Sequence, residues 1–206
     1  MPITDVVLAR HGETDYNLKK RLQGRGIDAP LNERGRQQSL RLSKRLQPST
    51  GTVLTTSSLR RARETAEPMT AQYGVEASAY KELDEMDFGI YEGAQMTDIK
   101  SELEELHQAW KNGQTSLRVE GGESPEEVFE RSNHRIRSLL EQNLTDRHFF
   151  ILHGRLLRIL LSAWLGYGLH QMHRIEHSNG AYYRLQFDGE QFIPKELHVT
   201  DHLTGL

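Results

Sequence analysis

Two histidines in this chain each stand between an apolar run and a glycine: Val6-Val7-Leu8-Ala9-Arg10-His11-Gly12 and Phe149-Phe150-Ile151-Leu152-His153-Gly154. An imidazole can serve as nucleophile, proton carrier or metal ligand. A buried strand gains nothing in packing by ending in Arg-His, whereas ligands bind at the carboxyl ends of strands in open α/β sheets. The glycine after each His permits a sharp turn and a close approach of backbone to ligand. If both strands are parallel and central, the two rings emerge side by side at one edge of the sheet. On spacing alone, a metal site and a phosphate site both remain open.

The elements that must position these residues alternate between strand and helix. Asn32 reads as the N-cap of a helix running toward Leu46, and Gly51–Thr56 as a second strand. Leu59, Ala62, Ala66, Met69 and Tyr73 form one apolar stripe on a helix opened by Ser57 or Ser58. Residues 97 to 112 read as a mostly exposed helix. Ser124-Pro125-Glu126-Glu127 is a capping box with proline in the first turn, and Val128, Ser132, Ile136, Leu139 and Leu140 carry the buried face behind it. The helix from Arg155 to Leu165 is apolar nearly all round and is expected to be buried. Tyr182–Phe187 and Phe192–Val199 read as a hairpin joined through Asp188-Gly189-Glu190. The expected fold is a three-layer α/β/α sandwich on a largely parallel sheet, with one or two antiparallel strands late in the chain.

The 206 residues are expected to form a single domain, residues 1–206, without repeat or linker. With 36% hydrophobic and 27% charged residues the composition is that of a globular protein. A net charge of -3 gives no reason to expect nucleic-acid binding. The absence of cysteine excludes disulfides, thiolate metal sites and a cysteine nucleophile. No apolar run approaches a membrane span, and MPITDVV lacks the features of a secretory signal, so a cytoplasmic protein without membrane partners is expected.

Arg10-His11-Gly12-Glu13-Thr14, with Asn17 three residues on, resembles the signature of the histidine phosphatase superfamily, the phosphoglycerate mutase-like proteins. The resemblance continues in family order through Ser57-Ser58-Leu59-Arg60-Arg61-Ala62 and Thr65-Ala66. It goes on at Leu83-Asp84-Glu85, Phe88-Gly89, Glu92-Gly93, Gly121-Gly122-Glu123-Ser124 and His153-Gly154, so that it spans the chain. It implies that His11 is the nucleophile, that Arg10, Arg61 and His153 surround the phosphate with help from Asn17, and that Glu85 protonates the leaving alcohol. Gln23 and Gly24 match a substrate-touching position, and Gly154 and Arg155 follow the second histidine at the pocket. Arg60 is left as a solvated helix residue.

These assignments suit the chemistry. Phosphoryl transfer spreads charge over the equatorial oxygens, so positioning and positive charge are most of what a protein supplies. Arginine holds two oxygens at once and stays charged. Nearby arginines favour the neutral form of the attacking imidazole, and the leaving alkoxide needs a proton from a carboxyl group that holds one. No metal or other cofactor is implied, and the partner is a phosphorylated small molecule. Oligomeric state is not legible.

Lys19, Lys20, Arg21 and Arg25 would rim the pocket or form a solvated basic loop, and Glu123 would serve the helix start. His170, His173 and His177, like His198 and His202, read as a histidine-rich connection rather than metal ligands. Arg155 departs from the family, which more often has an uncharged residue there, and is expected to bind a second anionic group.

Within the family, Glu85 and His153 are only 68 positions apart, the chain stops soon after its last strand, and Met86-Asp87-Phe88 replaces the Arg-x-Tyr usual in mutases. These features favour a phosphatase over a phosphoglycerate mutase. A binding module without turnover would be free to lose one of Arg10, His11, Arg61, Glu85 or His153, and all five are present.

Overall fold

Apolar runs without alternation belong to strands covered on both faces, and that is how they are used here. The computed structural model describes residues 3–49, 51–143 and 145–206. The chain runs β1 (Thr4–Arg10), α1 (Asp15–Leu18), α2 (Glu33–Leu46), β2 (Val53–Ser57), α3 (Arg60–Tyr73) and β3 (Ala77–Tyr80). It continues through α4 (Lys100–Lys111), α5 (Pro125–Gln142), β4 (Arg147–Leu152), α6 (Gly154–Trp164), β5 (Tyr182–Phe187) and β6 (Phe192–Val199).

The sheet has the order β3-β2-β4-β1-β5-β6. The first four strands are parallel, β5 is antiparallel to β1, and β6 is antiparallel to β5. Val6 and Leu8 face one core with Phe150, Leu152 and the apolar residues of α5 and α6. Val7 and Ala9 face the other with Phe149, Ile151, Leu42 of α2 and Met69 of α3. This is the three-layer α/β/α sandwich. β1 and β4 are adjacent, and Arg10 pairs in register with Leu152, so His11 and His153 leave neighbouring strand ends.

Asn32 caps α2 through Gly35 N, and Ser124 and Glu127 form the capping box of α5. The predicted buried face of α5 is the observed one. Three boundaries differ. α3 starts at Arg60 with Leu59 at the N-cap position and no side-chain cap, because Ser57 still belongs to β2 and Ser58 is engaged by Asp84. α4 starts at Lys100 rather than 97, and α6 runs from Gly154 to Trp164. β3 has no counterpart in the sequence reading: it is an edge strand whose first three residues are exposed, so it carries no apolar pattern. Among the described residues, no helix is long and apolar enough to cross a membrane.

Where β1 turns out of the sheet it passes α2 at backbone contact. A Cβ on Gly35 would lie 2.1 Å from the carbonyl oxygen of Glu13. Gly35→Ala is therefore expected to cost about 1–3 kcal/mol by overpacking against backbone. In a chain of this size that lowers the melting midpoint by several degrees, roughly 2–4 °C per kcal/mol. An unchanged midpoint in calorimetry would show that the two segments separate freely.

Candidate active site

At the end of β1, Gly12 N donates to Thr65 Oγ1 of α3 and His11 N to Leu152 O of β4, so the turn is pinned to both neighbours. His11 is 3% exposed. Its Nδ1 lies 2.7 Å from Gly12 O. A carbonyl only accepts, so Nδ1 carries the proton and Nε2 is left with its lone pair. Burial, then the charges of Arg61 and Arg10, hold the ring's pKa well below the ordinary value, which keeps His11 a neutral base.

Arg61 is fully buried. It donates from Nη1 to Ile27 O at 2.7 Å, from Nη2 to Gly24 O at 3.1 Å and from Nε to His153 Nδ1 at 3.2 Å. A guanidinium has five N–H groups, so two remain for a ligand. Arg10 donates from Nη1 to His177 O, and its buried Nε has no partner among the described residues. Burial pushes both guanidiniums down to about 10, which the charge of Glu85 partly offsets, and both remain cations at neutral pH.

His153, also fully buried, has its ring centre 5.1 Å from that of His11. Because Nδ1 accepts from Arg61, Nε2 carries the proton and donates to Ser57 Oγ at 2.6 Å. Both ring nitrogens are thus engaged by protein. Burial, followed by Arg61 and His11, keeps this ring neutral too.

The carboxylate of Glu85, 6% exposed, accepts three backbone N–H groups. Oε1 takes those of Met86 at 2.9 Å and Leu156 at 3.0 Å, and Oε2 that of Arg155 at 2.9 Å. The last two belong to the first turn of α6, whose N-terminus favours a negative group. The loop that carries Glu85 is clamped by Arg131, which donates to the carbonyls of Glu82, Asp84 and Glu85 and pairs with Glu123 at 2.7 Å. Ser58 holds Asp84 from the other side.

The remaining predicted residues take more specific places. Gln23 accepts from Thr14 Oγ1 at 2.8 Å while its buried Nε2 has no partner among the described residues. Asn17 completes the capping box of α1, and its Oδ1 accepts from Asn179. Gly154 leaves room for His177, whose Cδ2 would be 2.7 Å from a Cβ there. Arg60 is exposed and paired with Glu64, as a solvated helix residue should be. Lys19 pairs with Asp15, and Arg25 with Glu123, which serves several partners beyond the start of α5.

Two residues at the site, Asn179 and Arg131, were not singled out from sequence, and a third, His177, was given another role. Asn179 Nδ2 donates to the carbonyls of His11 and Gly12 and to Asn17 Oδ1. Arg131 clamps the Glu85 loop. His177, read as part of a connection, supplies a carbonyl to Arg10 and packs its ring against Gly154. A well-placed Asn before Gly180 was the only sequence cue, and it reads equally well as a turn. Among the described residues, no group of three His, Asp or Glu side chains is placed to hold a metal ion.

The neutral histidines set a pH dependence of stability. Their folded pKa values lie below the unfolded one, so the unfolded chain binds more protons as pH falls through about 6.5. Stability is full above that value and is lost progressively below it. Each of His11 and His153 contributes on the order of 1 kcal/mol per pH unit. The urea midpoint is expected to fall between pH 7 and pH 5, and a midpoint that holds or rises would show that these rings are protonated in the fold.

Comparison with known proteins places this geometry in a family. The model of the histidine phosphatase superfamily, branch 1, matches residues 6–200. Probable phosphoglycerate mutase GpmB of Salmonella paratyphi C (strain RKS4594) is 31% identical over 188 residues, covering 91% of this chain and 87% of its own. The protein of that name from Salmonella choleraesuis (strain SC-B67) matches to the same extent. Among solved structures, a mycobacterial glucosyl-3-phosphoglycerate phosphatase complexed with VO3 superposes with a TM-score of 0.84 at 24% identity, covering 96% of this chain and all of that one. A putative alpha-ribazole-5'-P phosphatase from Escherichia coli str. K-12 substr. MG1655 gives 0.82 at 24% identity, covering 95% and 96%. At that identity the two likenesses bear on the fold.

Proposed function

Since this chain belongs to the histidine phosphatase superfamily, we propose that it hydrolyses a phosphomonoester of a small metabolite through a phosphohistidine on His11. The observation that carries this reading is the His11 tautomer. A ring that donates from Nδ1 to Gly12 O presents an unprotonated Nε2 in the field of the buried Arg61 and the half-buried Arg10.

In the first step His11 Nε2 attacks phosphorus while the bond to the leaving alcohol breaks, and Glu85 gives its proton to the departing oxygen. Arg10 and Arg61 hold the equatorial oxygens, and Gln23 Nε2 and Asn17 add hydrogen bonds. His153 acts through Arg61, whose Nε it accepts, and by backing the His11 ring. The three N–H groups on Glu85 fix its carboxyl in one orientation. This step uses the protonated carboxyl of Glu85. In the second step Glu85, now a carboxylate, takes a proton from water as that water attacks phosphorus. The P–N bond breaks and His11 returns neutral. The arginines supply the positive charge that Mg²⁺ supplies in other phosphoryl-transfer enzymes, and we propose that no metal is needed.

Phosphate release from a panel of phosphomonoesters in excess EDTA tests this. The reading predicts release that EDTA does not affect. Release that requires added divalent metal would overturn it. A second reading, phosphoglycerate mutase, is favoured by the name that the 31% identical relatives carry. It predicts interconversion of 2- and 3-phosphoglycerate in the same panel with little free phosphate.

A further inference from the structure

The first turn of α6 carries a charge that phosphate chemistry at His11 does not use. Arg155 N is engaged by Glu85, which places Arg155 directly beside the proposed acid, on the leaving-group side. Its guanidinium turns toward α4, with Cζ 5.3 Å from the ring centre of Trp110 and 6.0 Å from that of Phe88. Nη2 lies 2.9 Å from His107 Nε2. A guanidinium only donates, so His107 Nε2 accepts and the ring is neutral. The His107 ring centre is 5.1 Å from that of His173, in the segment Leu169–Arg174.

Two polar atoms in this cluster are buried without a hydrogen-bond partner among the described residues: Arg155 Nη1, which donates, and His173 Nε2, which donates when the ring carries its proton there. Stacking on Trp110 accounts for where the guanidinium lies and does nothing for either donor. Nor is the charge balanced. Among the described residues, the carboxylate that acts on Arg155 is that of Glu85, which Arg158 and Arg10 share. Burial, then the Arg155 charge, pushes His107 to about 3 and His173 to about 4, so neither ring adds charge at neutral pH. A buried donor without an acceptor is destabilising, and a largely desolvated cation without an anion is more so. One anionic group would satisfy both donors and the charge.

We propose that Arg155, His107 and His173 form a second anion subsite, which takes a carboxylate or a second phosphate on the leaving-group side of the same substrate. This rests on the hydrolase reading above and names its substrate class: phosphomonoesters whose alcohol is itself anionic. Arg155 Nη1 and His173 Nε2 donate to that group, His107 holds Arg155 in place, and Arg158 contributes field from the next turn of α6.

The test uses two matched pairs, 3-phosphoglycerate against glycerol 3-phosphate and fructose 1,6-bisphosphate against fructose 6-phosphate. Binding is measured by calorimetry on the His11→Ala protein, which cannot turn the esters over. The doubly anionic member of at least one pair is expected to bind about 10- to 100-fold more tightly, the scale of a charged hydrogen bond. Which pair responds tells carboxylate from phosphate. Adding Arg155→Gln brings the ratio to within about twofold of one, and adding His107→Leu lowers it several-fold. If Arg155→Gln fails to fold, the His107→Leu protein decides. Equal binding within both pairs, no binding of any ester, or a ratio that survives these substitutions overturns the subsite. Selective binding by a wild-type protein that releases no phosphate from any of the four esters would support the subsite and sink the hydrolase reading alone.

Discussion

Replacing His11 by alanine is expected to abolish phosphate release from every ester the wild-type protein hydrolyses, a loss of at least about a thousandfold in kcat. Without Nε2 there is no atom to receive the phosphoryl group. Arg10 and Arg61 would still hold phosphate, but water would have to attack directly at a site built for a ring nitrogen. The same substitution should not harm the fold at acid pH. His11 is held neutral against its tendency to protonate in the unfolded chain, so its removal makes the acid loss of stability shallower. An inactive protein with a higher urea midpoint than wild type at pH 5 would separate chemistry from folding. Activity retained to within about tenfold would place the nucleophile elsewhere.

Glu85→Gln carries the second large effect, and it should depend on the leaving group. An alkoxide needs a proton as it departs, whereas p-nitrophenolate leaves without one. General-acid catalysis is worth about 10²- to 10⁴-fold, so the variant should lose that much on alkyl phosphates. On p-nitrophenyl phosphate the loss should stay below about tenfold. Gln keeps an oxygen for Met86 N and Leu156 N, and the Nε2 group that replaces Oε2 meets the N–H of Arg155. That local mismatch acts on both substrates alike, so the ratio of the two losses isolates the proton. Equal losses on both would mean that Glu85 orients the site without giving a proton.

The central strands and their histidines were legible because burial on two faces leaves a continuous apolar run, and a polar Arg-His or His-Gly at its end breaks that run visibly. Sheet order then brought His11 and His153 together, as the parallel pairing of β1 and β4 requires. Helix α5 was legible through its capping box. β3 was not, since an exposed edge strand of four residues has neither length nor alternation. The roles of Asn179 and Arg131 lie in contacts 168 and 46 residues away along the chain, and no local pattern encodes such pairings. Arg155 shows the same limit. Its type and its place after His153-Gly154 pointed to an anion, but its partners His107 and His173 are assembled only by the packing of α4 and Leu169–Arg174 against α6.

The proposed chemistry turns on a covalent intermediate at one atom. The most direct measurement is rapid mixing with a hydrolysed ester, quenching in alkali, and mass analysis of the peptide that carries His11. A phosphate on that ring, stable in alkali and lost in acid, forming and decaying at rates that match turnover, is the predicted result. Steady phosphate release with no phosphorylated His11 at any time point would contradict it, because the phosphoryl group would then pass straight to water.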